Sequence, residues 1–138
     1  DLKDTYDIHK KLESGFHEDT IIDLVSSKKP IKDIEVNDIL KNGVKVEGIV
    51  VIDASDLDLF KYYLDDNIII GTSNLCYQKD GKIFNTLKYH SKEIIKKKEN
   101  LLYHILTDKN YFYINNIKFY DYNCSIEQFF DDESIFYN

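Results

Sequence analysis

Apolar and polar residues alternate in short runs along most of this chain. Turn residues interrupt the runs about every ten positions, a spacing that predicts an all-β sandwich or barrel. Strands are expected at 20–25, 44–52, 59–64, 67–71, 75–77, 83–87 and 101–107. Residues 31–40 read as a turn plus a short strand. Turns are expected at 26–30, at Asn42-Gly43, at 65–67 and at Asp80-Gly81, where Asn, Asp and Gly tolerate positive φ. Residues 89–100 are polar and Lys-rich and read as surface.

The strongest local signal is N-Y-F-Y-I-N-N-I-K-F-Y-D-Y-N-C, residues 110–124. Two aromatic and β-branched runs flank Asn115-Asn116, which predicts a tight hairpin leading into Asn123-Cys124. Residues 1–14 predict a short helix with Tyr6, Ile8 and Leu12 on one face and Gly15 as its stop. The tail, 125–138, mixes acids with Ile126, Phe129, Phe130, Ile135, Phe136 and Tyr137. It reads as a helix folded onto the domain or as a segment whose apolar anchors dock on a protein partner. The organisation expected is therefore an extension (1–14), one β domain (15–124) and a tail (125–138).

Composition narrows the function classes. The chain has 138 residues and a net charge of −7, with no Arg, so its surface should repel a phosphate backbone, and no nucleic-acid partner is expected. No apolar run is long enough to span a membrane. Two cysteines, Cys76 and Cys124, are too few for a disulfide framework and read as reduced thiols, as in an intracellular setting such as cytoplasm or a virion. The four His stand apart in sequence without zinc-ligand spacing, and no cofactor or metal is expected. Eleven Tyr and eight Phe suit large buried contacts, including contacts in an assembly component. One Ala and one Pro beside abundant Ile, Lys and Asn suggest an AT-rich genome, as in a large DNA virus or a protist.

Residues 15–40, G-F-H-E-D-T-I-I-D-L-V-S-S-K-K-P-I-K-D-I-E-V-N-D-I-L, resemble the opening of a Hint domain, the fold of hedgehog autoprocessing domains and inteins. That opening reads C-F-x-x-D-T-x-I, then x-P-I-x-D-I-x-x-G-D-x-L. Phe16, Asp19-Thr20, Ile22, Pro30-Ile31, Asp33-Ile34, Asp38 and Leu40 stand in matching places. The resemblance implies a horseshoe of short antiparallel strands and hairpins. It also implies self-cleavage by acyl shift at the first nucleophile and Asn cyclisation at the far end.

The departures fall on the implied site. Gly15 stands at the nucleophile, and glycine has no thiol or hydroxyl for the acyl shift, whether by nature or by replacement. Ser14 lies one place upstream. The family's T-x-x-H loop falls on Gly71-Thr72-Ser73-Asn74, where Asn74 stands for His and cannot serve as a general acid. Thr72 and Ser73 also read simply as turn residues. The final pattern, x-F-x-x-N-G-x-x-x-H-N, matches at Phe112, Asn115 and Asn123, with Asn116 for Gly and Tyr122 for His. Cys124 matches a downstream nucleophile, and Asn123-Cys124 also reads as a strand-to-tail turn with a small buried thiol. Three functions remain open at this point. One is a degenerate domain acting as a structural or interaction module. Another is an autoprocessing domain that keeps cleavage at Asn123-Cys124 or is captured in an inactivated form. The third is a β-rich virion or assembly component unrelated to that family.

Overall fold

The protein is seen in a computed structural model that describes residue 8, residues 10–89 and residues 92–131. Residue 8 and residues 10–12 are helical, and the rest of the helix expected over 1–14 lies outside the described residues at 1–7 and 9. Gly15 is not a helix stop. It lies in extended chain after the helical turn has ended.

Strands β1 (Ile21–Asp23) and β2 (Lys28–Pro30) form an antiparallel hairpin in register Ile21↔Pro30. The expected turn over 26–30 is thus half strand. Pro30 fits because β2 pairs on one side alone, so its missing N–H breaks no ladder. A 3-10 turn at Ile31–Asp33 leads to β3 (Ile39–Leu40). Asn42 and Gly43 then turn the chain with φ 67° and 73° into β4 (Val44–Asp53). Next come β5 (Leu59–Leu64) and β6 (Asn67–Gly71), joined by Asp65 and Asp66 at φ 45° and 66°. Strands β7 (Cys76–Lys79) and β8 (Lys82–Asn85) meet at Asp80-Gly81, again at positive φ.

Residues 86–88, expected at the end of a strand, form a 3-10 turn. The Lys-rich stretch holds an unforeseen strand, β9 (Lys92–Ile95), which pairs with β5. Strands β10 (Leu101–Thr107), β11 (Tyr111–Ile114) and β12 (Ile117–Tyr120) fall where the apolar pattern put them. Helix α1 (Tyr122–Asp131) follows at once. Asn123-Cys124 therefore lies in a first helical turn rather than at a strand end, and α1 runs across position 124/125, where the tail was set apart. The reason is local. Asp121 accepts from the Cys124 N–H at 3.0 Å, and its carbonyl accepts from Ser125 N at 3.0 Å, an N-cap that converts the strand exit into a helix.

The architecture is all-β with a short helix near its C-terminal end. Its sheet orders are β6-β5-β9, β10-β4-β3, β11-β12-β7-β8 and β1-β2. One residue joins the first two. Phe16 bridges Gly71 at the end of β6 and Tyr103 in β10, so both strands flank it. Its ring is fully buried and meets Phe119, Phe112 and His104 edge-on at 5.4, 5.9 and 5.0 Å. Burying a Phe stabilises by about 1.5–3 kcal/mol, and each edge-on aromatic pair adds about 0.5–1.5.

A second tie joins the start and end of the fold. The Asn116 N–H, in the β11–β12 turn, donates to Asp23 Oδ2 at 2.8 Å, while Lys28 Nζ lies 3.6 Å from Asp23 Oδ1. Asp23 is 5% exposed, so this bond is made out of water. Replacing Asp23 by Ala leaves the Asn116 N–H without its acceptor and is expected to cost about 1–3 kcal/mol in urea denaturation. Asp23→Asn keeps a carbonyl oxygen and is expected to cost less. Equal losses would count against the bond.

Candidate functional site

Glycine sits at both points where backbone meets backbone. Thr72 N–H donates to Gly15 O at 3.0 Å, and a Cβ on Gly71 would stand 2.5 Å from that oxygen. Neither glycine has positive φ, so close approach, not turn geometry, selects them here. A Cβ on Gly15 would meet Ile52 Cδ1 at 2.9 Å and Leu102 Cβ at 3.0 Å. The space a nucleophilic side chain would enter at position 15 is thus already bounded by apolar atoms.

The chain entering the fold is held at two neighbouring peptides, Leu12–Glu13 and Ser14–Gly15. Gly15 N–H donates to Thr72 Oγ1 at 3.1 Å, and Asn74 Nδ2 donates to Leu12 O at 2.8 Å. Asn74 also lies 3.5 Å from Ser125 O in α1, and Asn85 Nδ2 donates to Asn74 Oδ1 at 2.8 Å. Tyr122 Oη stands 3.5 Å from Glu13 Oε1. The chain entering the fold and the helix leaving it therefore share one buried amide. Gly15, Thr72 and Asn74 come together, with Asn74 and Thr72 buried.

Asn123 is close in sequence to these contacts, yet it is exposed on α1. Cys124 is half-buried, and burial pushes its thiol up to about 11. Burial likewise raises Cys76 to about 12. Neither thiol is set up as a thiolate near neutral pH.

The frame of two motifs also moves, one by a bond in the structure and the other by the pattern's own spacing, with which the strand register agrees. Because Thr72 Oγ1, not Gly71, touches Gly15 N, the fourth place of T-x-x-H falls on Leu75, which is fully buried, and Asn74 takes the third. The β11–β12 register runs unbroken from Ile114↔Ile117 to Tyr111↔Tyr120. Counted along it from Phe112 and Asn115, the pattern's last two places fall on Tyr120 and Asp121, not on Tyr122 and Asn123. The sequence reading passed over Asp121. It is buried, and its carboxylate accepts from Thr107 N at 3.1 Å and Cys124 N at 3.0 Å. Burial raises its pKa and the two N–H donors oppose that.

His104 was also passed over. It is fully buried against Phe16, Tyr122 and Phe112. Ile105 N–H donates to its Nδ1 at 2.9 Å, which puts the proton on Nε2, and Nε2 has no partner. The Oγ of buried Ser14 is likewise unpartnered. No sequence pattern marked His104, because its surroundings come from β11, α1 and residue 16. Among the described residues no group of three or more His, Cys, Asp or Glu could hold a metal ion, and no helix is long and apolar enough to cross a membrane.

With this geometry in hand, solved structures supply the comparison. A bacterial intein-like domain from Clostridium thermocellum superposes with a TM-score of 0.68 at 14% identity, over 79% of this chain and 99% of that one. The chain has the Hint fold of the inteins. The gp41-1 intein superposes on this Hint-fold chain with a TM-score of 0.61 at 18% identity, over 79% of it and 99% of the intein. No family model matches the sequence, and no curated protein matches it.

Burial holds the His104 pKa down at about 3, against about 6.5 in the unfolded chain. Between those values the unfolded state binds a proton that the folded state does not, so stability rises with pH through this window and falls as pH drops below about 6.5. From pH 7 to pH 5 this group alone should remove about 2 kcal/mol. Urea denaturation at the two pH values checks it: His104→Gln should lose less over that step than the unsubstituted protein. Equal pH dependence would contradict the assignment.

Proposed function

We propose that this Hint-fold domain no longer cuts itself and serves as a structural or interaction module. The carrying observation is at residue 15. The position that the resemblance assigns to the first nucleophile has no side chain, and Ile52 and Leu102 occupy the space beside it. An acyl shift needs an oxygen or sulfur within bonding reach of the preceding carbonyl. Three further features support the reading. Leu75 brings no proton donor to the T-x-x-H frame. His104 is held neutral by burial. Asn123 is exposed on a helix rather than enclosed.

The flanks support an interaction role. Residues 12 and 13 and the first residues of α1 are bonded into the fold through Asn74 and Tyr122, so entry and exit segments are part of the architecture. A domain that released its flanks would break these contacts.

Intact mass tests the reading. The purified chain, held for days at neutral pH with reductant, should keep its mass of 16.3 kDa. Gly15→Cys should also stay whole, and it should lose about 1–3 kcal/mol of stability because its Cβ crowds Leu102. Scission between Asn123 and Cys124 in the unsubstituted chain would favour the alternative reading, an autoprocessing domain that keeps cleavage there. Scission before residue 15 in Gly15→Cys would identify a captured, inactivated form.

A further inference from the structure

Among the described residues, the outer edge of β6 is unpaired at Ile68, beside an apolar groove, and is bridged only at its far end by residues 16 and 17. Strand β6 pairs with β5 in register Leu64↔Asn67 through Phe60↔Gly71. The two-residue turn at Asp65-Asp66 makes Leu64↔Asn67 a hydrogen-bonded pair, so Asn67, Ile69 and Gly71 point their backbone groups at β5. Ile68 and Ile70 then point theirs outward. The Ile70 carbonyl accepts from His17 N at 2.9 Å. The Ile70 N–H and both backbone groups of Ile68 have no protein partner among the described residues. They face a groove of about 510 Å³ whose other walls include Ile21, Thr20 and Ile114. Ile68 is 56% exposed and Ile21 44%, large values for β-branched side chains at an open strand edge.

The geometry points to strand addition at this edge: β6 takes up an extended peptide segment of a partner protein, with β-branched side chains for the groove and basic residues at its ends. Main-chain bonds to Ile68 and Ile70 would supply the affinity and the groove the side-chain preference. Charge selects the flanks. Asp65 and Asp66 are exposed in the turn just before Asn67, a residue of the groove wall, and neither makes an ion pair among the described residues, whereas the charges that line the groove, Lys28 and Asp19, are already paired with Asp23 at 3.6 Å and with Lys32 at 3.1 Å. The chain as a whole carries −7, which disfavours an acidic partner and a second copy of itself. This gives the proposed interaction module a partner chemistry and so rests on that reading. The mass assay tests the reading and the binding assay below tests the edge, so failure of one is told from failure of the other.

The probe is a fluorescein-labelled peptide, Lys-Val-Thr-Val-Ile-Lys, titrated with the full chain and followed by anisotropy, with amide exchange read in parallel. Saturable binding is expected, with slowed exchange at the Ile68 and Ile70 amides. Ile68→Pro should weaken it at least about tenfold, because it removes one outward N–H and places ring atoms in the groove. The substitution suits the fold because that N–H serves no ladder. Replacing Asp65 and Asp66 together by Asn, which also tolerates positive φ, should weaken binding about threefold at low salt and little at high salt. No saturable binding up to about 1 mM, a contact too weak to matter, would overturn the proposal. So would affinity unchanged in both variants. A dimer of the unsubstituted chain that Ile68→Pro converts to monomer would also overturn it, since a second copy would then be the occupant.

Discussion

Residues 15–17 form a strand one residue wide on which two sheets close. Phe16 exchanges hydrogen bonds with Tyr103 at 2.7 and 2.9 Å, while His17 N and Gly15 O bond β6 and its exit at 2.9 and 3.0 Å. Without it β10 and β6 have no shared ladder, and the aromatic cluster of Phe112, Phe119 and His104 loses its centre. The demand for close packing explains two glycines and one buried threonine together. Gly71 lets the backbones touch, Gly15 fits under Ile52 and Leu102, and Thr72 satisfies the Gly15 N–H that the approach buries.

The same constraint shapes the chemistry proposed for the domain. The segment is bonded on both edges, and at Gly15 it presents no side chain to the space that Ile52 and Leu102 bound. Around it the polar groups are spoken for: Asn74 is divided among Leu12, Ser125 and Asn85, and Asp121 is divided between Thr107 and Cys124. These bonds tie the entry chain and α1 to the core. The groups left over near it, Ser14 Oγ and His104 Nε2, lie buried without a partner, a cost of order 1–3 kcal/mol each.

Much of the fold was legible where a turn required positive φ. Asn42-Gly43, Asp65-Asp66, Asp80-Gly81 and Asn115-Asn116 all adopt it, and the strands they join follow from the apolar runs. Strand β9 escaped notice because Lys92 and Glu93 hide its edge character and Ile94 is 67% exposed, so no alternation marks a buried face. Helix α1 was misplaced by three residues because its cap, Asp121, reads as the end of an aromatic strand. At the candidate site Gly15 and Thr72 stood out in the sequence, whereas Asp121, Leu75 and His104 did not. Their surroundings are assembled from distant elements. The frame of the first motif needed the Thr72–Gly15 bond, whereas the last pattern's own spacing from Phe112 and Asn115 already ends on Tyr120 and Asp121, and the β11–β12 register agrees with it.

Backbone hydrogen exchange followed residue by residue tests the central claim most directly. If residues 15–17 are a ladder strand, the amides of Gly15, Phe16, His17 and Thr72 should exchange only through global unfolding, as slowly as those of Leu102 and His104, which face β4 in β10. Exchange at these four positions near the rate of an open loop, with β10 still protected, would contradict the account.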